Sequence, residues 1–225
     1  MIQKNRDAVL TQFLMDVQPH TMRVQQNSGT CRLIHFKRPD SRAYEFTLVT
    51  WPGYLTIVGD MGNFAFKRTD DMFTFFRSGD EVLRINPGYW HEKMVAEGRE
   101  RAKEFSKDQM LSFIQEAFDS WRGRWQPSPD AIAEAQDSLE LYVLNPLQDG
   151  GYGLEGACRL LYEFPCNKTG DFSLHDTTDW PSFQDYTYHF LWCLYAIVWG
   201  IQQYDRNTEV ENASDRKKEK DKEGL

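Results

Sequence analysis

Five histidines, His20, His35, His91, His175 and His189, are the side chains of this 225-residue chain best suited to proton transfer near neutral pH. His175-Asp176, with Asp179 and Asp185 close by, has the composition of an acidic hydrolytic cluster, in which carboxylates hold a metal and the imidazole moves a proton. The same four residues precede a helix, where short polar side chains serve as turn formers and caps, and Asp179 or Ser182 is expected to cap it. A second set is metal-binding in type. His189 and Cys193 are four apart and share a helix face, and Cys158, Cys166 and His175 complete the set of ligand types. Zinc sites carry a close ligand pair at each end, which this set lacks, so reduced thiols and a hydrogen-bonded core histidine are expected, with no metal and no cofactor. No G-x-S-x-G, no H-E-x-x-H and no phosphate-loop lysine occurs, and no dinucleotide-binding glycine fingerprint is expected. Gly59-Asp60-Met61-Gly62 joins two apolar runs and reads as a turn. The chain is therefore expected to have no catalytic residues and not to be an enzyme.

Recognition is the remaining chemistry, and charge places it. The net charge is -8, from 34 acids against 26 bases, and the acids are unevenly spread. Residues 1–125 hold 18 bases and 16 acids, whereas residues 126–205 hold 2 bases and 12 acids. At 100° per residue Asp130, Glu134 and Asp137 fall within about 60° of one another on a helix, opposite Ile132, Leu139 and Val143, and Glu140 flanks them. The plain alternative is a solvated helix face. The sharper one is a surface for a basic partner, because like charges unrelieved by lysine repel one another and steer towards a positive patch. Trp125 and Trp180 stand beside prolines, where an exposed ring anchors a protein contact or packs at a loop corner. The expected partner-binding residues are thus Asp130, Glu134, Asp137, Glu140, Trp125 and Trp180. A net acidic chain with no cluster of Lys and Arg argues against direct nucleic-acid binding.

These residues need a scaffold. A chain of this length buries roughly 70% of its unfolded surface, and its aromatic content of 14% suffices for a large core. Val9, Leu10, Phe13, Leu14 and Val17 have helical spacing and predict an N-terminal helix that Pro19 ends. Residues 21–26, 30–37, 43–50, 54–59 and 64–67 alternate in the manner of strands and are separated by turn residues, which predicts an antiparallel meander. Asp70 and Asp71 precede Met72, Phe73, Phe75 and Phe76, a short helix capped by a carboxylate, and Asn86-Pro87 opens a second helix spanning 88–99. Ser106 opens the clearest helix, with Met110, Phe113, Ile114, Ala117, Phe118 and Trp121 on one stripe. Ser128 or Asp130 starts the next, with Ile132, Ala135, Leu139, Tyr142 and Val143 apolar, and Pro146 closes it. Helices over 154–163 and 182–204 follow. The run Tyr186 to Ile201 is short for a membrane span and reads as a buried core helix. The fold class is α+β: an N-terminal helix, an antiparallel sheet of four to five strands, then a mostly helical C-terminal half. One domain is expected over 1–205, with its sheet at about 18–68 and its helical part at 70–205, followed by a charged flexible tail over 206–225. The first twenty residues lack the apolar run of a secretory signal, which points to the cytoplasm.

The stretch Trp51-Pro52-Gly53-Tyr54-Leu55 through Gly59-Asp60-Met61-Gly62-Asn63-Phe64, then Asp71-Met72-Phe73 and Phe75-Phe76-Arg77, resembles proteins encoded by tailed phages and prophages. Ile85-Asn86-Pro87-Gly88-Tyr89-Trp90 and Trp192-Cys193 to Trp199-Gly200-Ile201-Gln202-Gln203-Tyr204-Asp205 extend the likeness over most of residues 45–205. Within that group the chain is similar to the anti-Gabija inhibitors, which share a strand with a Gly-Asp-x-Gly turn and a terminal helical region. The resemblance implies a stoichiometric, oligomeric inhibitor in the bacterial host cytoplasm. Such a protein binds a defence complex of nuclease and helicase-like subunits and blocks its access to DNA. The alternatives are a small phage hydrolase acting on a nucleotide or nucleic acid through His175 and Asp176, and an acidic DNA mimic.

Overall fold

The computed structural model describes residues 2–77, 82–165, 172–174 and 180–223, with side chains placed from residue 6 to residue 210. The chain is α+β: an N-terminal helix, a six-stranded antiparallel sheet and a mostly helical C-terminal half. In place of one domain over 1–205 it forms two compact units, one of residues 1–102 with 186–225, the other of residues 103–185. The physical reason is that the apolar side chains form two separate clusters, because the last helix joins the sheet's core and not that of the preceding helices.

In the first unit, α1 (Ile2–Val17) buries Val9, Phe13 and Val17, the expected stripe, and leaves Leu14 exposed. The strands β1 (Thr21–Ser28), β2 (Cys31–Lys37), β3 (Phe46–Trp51), β4 (Tyr54–Gly59), β5 (Gly62–Lys67) and β6 (Met94–Glu97) pair in sequence order, each antiparallel to the last. Alternation decides which face is covered: Ile34, Phe36, Phe46, Leu48, Leu55, Ile57, Phe64 and Phe66 are all buried. Gly59 and Gly62 pair across the β4–β5 connection, and Gly62 adopts φ +130°, a conformation that favours glycine. Strand β3 begins three residues later than the alternation predicts, since Tyr44 has φ +61°, which breaks the extended run.

Helices α2 (Met72–Phe76) and α3 (Pro87–Glu92) are capped by the Asp71 and Asn86 side chains, as expected. The helix expected over 88–99 stops at Glu92, and its second half is the sixth strand instead. The edge of β5 offers backbone groups that need partners. Residues 94–97 satisfy them, and Gly98 N–H extends the ladder with a bond to Asn63 O at 2.8 Å. Helix α8 (Tyr188–Glu223) then returns to this unit and buries every residue from Phe190 to Val198. It starts later than Ser182 because Phe183 has φ +48°, and Thr187 Oγ1 caps it by accepting from Phe190 N–H at 3.1 Å. Its helical backbone runs to Glu223, through the stretch where a flexible tail was expected from 206. Gly200 lets it lie close to the sheet, since a Cβ there would come within 2.9 Å of Leu48 and 3.2 Å of Phe36. Among the described residues no helix is long and apolar enough to cross a membrane.

The second unit opens with β7 (Lys103–Phe105), which pairs with β8 (Gln184–Tyr186). Between them lie α4 (Lys107–Trp125), α5 (Pro129–Leu139), a π-helical turn (Glu140–Leu144), α6 (Asn145–Asp149) and α7 (Leu154–Tyr162). Ser106 caps α4 and Ser128 caps α5, each accepting from a backbone N–H. Met110, Ile114, Phe118 and Trp121 meet Ala135, Leu139, Val143 and Leu147 in its core.

Candidate interaction surface

The candidate chemistry does not assemble into a catalytic centre among the described residues. His20 places Nε2 at 3.0 Å from Tyr44 O, and burial holds its pKa below the ordinary value. His35 Nδ1 is 2.8 Å from Thr47 Oγ1, and its Nε2 stands 4.0 Å from Glu45, whose carboxylate lies closer to Arg42, at 3.3 Å. His189 is exposed whereas Cys193 is buried, with Sγ 3.6 Å from Met61 O, so the two do not converge as ligands. Burial pushes the Cys193 thiol far up its scale, and that of Cys158 upward. Among the described residues no group of three or more His, Cys, Asp or Glu side chains is arranged to hold a metal. Cys166, His175, Asp176 and Asp179 lie outside the described residues. Asp185 sits in β8.

One glycine pattern escaped the sequence reading. Gly151-Tyr152-Gly153-Leu154-Glu155-Gly156 spells G-x-G-x-x-G, but α6 precedes it where the dinucleotide fingerprint requires a strand. It serves as the connection into α7, with Gly153 at the N-cap.

The acidic residues are placed by a helix that differs from a regular one. Buried Ala135, Leu139, Val143 and Leu147 recur every four residues, a spacing that drifts about 40° per step on an α-helix. The wider π turn at Glu140–Leu144 takes that drift back and keeps the four side chains on the core. It also lets the helix pass through Pro146, where a stop was expected. Asn145 N–H bonds to Glu140 O, five residues back, so the ladder is already widened where the proline lacks a donor.

Asp130, Glu134, Asp137 and Glu140 are all exposed, and none of the four takes part in an ion pair. The π turn separates them in role. Asp130, Glu134 and Asp137 lie on α5 itself, whereas Glu140 borders a cleft of about 270 Å³ that Ile114, Phe118, Arg122, Leu139 and Leu144 also line. Leu141, 61% exposed, already lies opposite the apolar stripe of a regular helix, whereas Tyr142 falls on that stripe and is nevertheless 39% exposed where the π turn rephases the helix. Trp125, at the end of α4, is 70% exposed. A groove of about 510 Å³ next to it in sequence is lined by Asp119, Arg122, Gly123, Gln126, Pro127 and Ile132. Trp180 takes the other course. It is half-buried, donates its indole N–H to Leu174 O at 3.1 Å and packs against the second core. Helical spacing groups the acids on one face, and the neighbouring proline singles out Trp125, which the structure places at the exposed end of α4. The same spacing puts Tyr142 on the buried stripe, because only the i to i+4 run of buried residues signals the π turn, and it does not single out Leu141, whose place opposite that stripe a regular helix already shows.

Comparison with protein-family models, with curated proteins and with solved structures finds no match to this chain.

Proposed function

We propose that this chain is a binding protein that docks the acidic helix of its second unit on a basic surface of another protein. The observation that carries the reading is the exposed row Asp130, Glu134, Asp137 and Glu140, which has no ion-pair partner and has the exposed side chains Leu141 and Tyr142 next to it in the helix. Unpaired acids supply steering and register, and apolar side chains supply the area that water leaves on contact. Exposed Trp125 adds a ring of the type that anchors interfaces. In the setting implied by the resemblance to anti-Gabija inhibitors, the partner is a bacterial defence complex of nuclease and helicase-like subunits. Its DNA-binding groove is the basic surface, and an oligomer of this chain in the host cytoplasm blocks access to it.

Purified chain mixed with a reconstituted nuclease and helicase defence complex should co-elute at one fixed stoichiometry, with affinity that falls as salt rises. Replacing all four acids by Asn or Gln should weaken that binding at least tenfold and leave the far-ultraviolet circular dichroism spectrum unchanged. Salt-independent affinity, or full binding by the neutralised variant, would sink the acidic reading. Loss of activity on His175→Ala alone would favour the hydrolase.

A further inference from the structure

We infer that the open face of the six-stranded sheet is a docking platform for single-stranded nucleic acid. This goes beyond the proposed function and rests on the other unit. The starting point is composition: β1 to β5 contain Arg23, Arg32, Lys37 and Lys67 and not one Asp or Glu, in a chain with eight more acids than bases. The two-residue period of the strands sorts these cations. Arg32 faces inward, donates to both oxygens of Asp71 at 2.9 Å and lies over the Phe73 ring. Arg23, Lys37 and Lys67 face outward with His35, and no ion pair neutralises any of the three.

The helices of this unit cover the inner face. Phe190 meets Phe64, Trp192 meets Phe46, Trp199 meets Phe36, and Phe76 meets Phe66. On the outer face no strand residue of β1 to β5 is buried. Leu33, Val49, Thr56 and Ala65 lie in register across its middle, a row of modest side chains with no charge. On one side of that row Trp51 stacks on Tyr54, with centroids 5.1 Å apart and planes 15° apart. Lys67 Nζ stands 5.1 Å from the Tyr54 centroid, and Trp51 is 40% exposed. On the other side lie His35, Thr47, Arg23 and Lys37.

From β1 to β5 the cations flank a surface about 19 Å wide at the usual strand spacing. Cations at both margins suit a run of phosphates, and a flat aromatic pair suits a base that has left its stack. A duplex keeps its bases stacked inside and presents no face to those rings. An acidic peptide would satisfy the cations but bring no ring to the exposed Trp51. The overall charge of -8 hides this face because β1 to β5 themselves carry no acid; the acids nearest its His35 and Lys37 margin are Asp40 and Glu45, which line a hollow there together with Arg42.

The test is fluorescence anisotropy of the full chain with labelled oligothymidine and oligouridine of about 20 nucleotides. Binding of one or both supports the inference, and the stronger of the two tells whether the ligand is DNA or RNA. Affinity should fall steeply between about 50 and 200 mM salt. Trp51→Ala and Lys67→Glu should each weaken binding about tenfold, with Trp51→Phe retaining most of it. Replacing Asp130 and Glu134 by Asn and Gln should leave oligonucleotide affinity unchanged, which separates failure here from failure of the acidic reading. All substitutions on the sheet are at exposed positions, and an unchanged thermal melt certifies their folding. No binding of either oligonucleotide at low salt, equal affinity for a duplex, or full binding by Lys67→Glu overturns the inference. Salt-sensitive self-association lost in Lys67→Glu, without oligonucleotide binding, overturns it in favour of a second copy as the occupant.

Discussion

The two units solve the problem of charge in opposite ways. In the first, charged side chains tie elements together: Arg32 binds Asp71 in two bonds of 2.9 Å, joining β2 to the cap of α2, and Arg77 binds Asp205 at 2.8 and 2.9 Å, joining the end of α2 to α8. In the second, the acids of α5 face water with no ion-pair partner, and the core below them is apolar and aromatic. The difference teaches that carboxylates with one composition do separate work. Asp71 and Asp205 tie elements of the fold together, whereas Asp130, Glu134 and Asp137 take part in no ion pair that would do so.

The comparison can be broken most forcefully in the first core. Trp192 is fully buried, packs edge-on against Phe13 and Phe46, and donates to Asp16 at 3.0 Å. Trp192→Ala should cost about 3–5 kcal/mol, read from the midpoint of chemical denaturation. Next in size is Asp71→Asn, which removes the charge from a bidentate pair and should cost about 2 kcal/mol. The Arg32 guanidinium holds the Asp71 carboxyl below its ordinary value, so the pair's stabilisation is complete above the usual carboxylate range of about 4 and is lost as pH falls through the lowered value. Wild type should therefore lose stability below pH ~4 more steeply than Asp71→Asn, and parallel acid limbs would show that Asp71 does not carry that difference. Ser128→Ala should remove about 1 kcal/mol by uncapping α5, as seen in the helical melt. The smallest expected effect sharpens the contrast between cores. The buried Trp121 indole N–H has no hydrogen-bond partner, so Trp121→Phe should shift stability by less than about 1 kcal/mol, against about 1–3 kcal/mol for Trp192→Phe.

Much of this was legible in local chemistry. Asn86 and Ser106 were readable as caps, and the caps of α2 and α5 were readable to one of two residues each, Asp70 or Asp71 and Ser128 or Asp130, because a short polar side chain ahead of an apolar period has one structural use there. The faces of β2 to β5 were readable because a two-residue period leaves no second register. What escaped depends on distant partners. Met94–Glu97 became a strand only because the edge of β5 needed one, and Tyr44 and Phe183 adopt left-handed conformations that their residue types do not announce. The acids of the candidate surface were legible as a run without bases. The exposure of Tyr142 was not, because the π turn rephases the helix, and the sheet's cationic face was hidden by averaging charge over long segments.

The path of the chain through its two units carries a consequence for synthesis. The sheet is translated first, yet α8, which covers Phe36, Phe46 and Phe64, is translated only after the whole of unit 103–185. On the ribosome the usual order, in which the N-terminal body folds before the rest appears, should therefore not hold for the first unit. The second unit has all its residues while the sheet still lacks α8, so Phe36, Phe46 and Phe64 should wait for part of their cover until that helix emerges. Chaperone dependence should be concentrated in that interval, and it belongs to the order of the sequence and not to the stability of the finished fold.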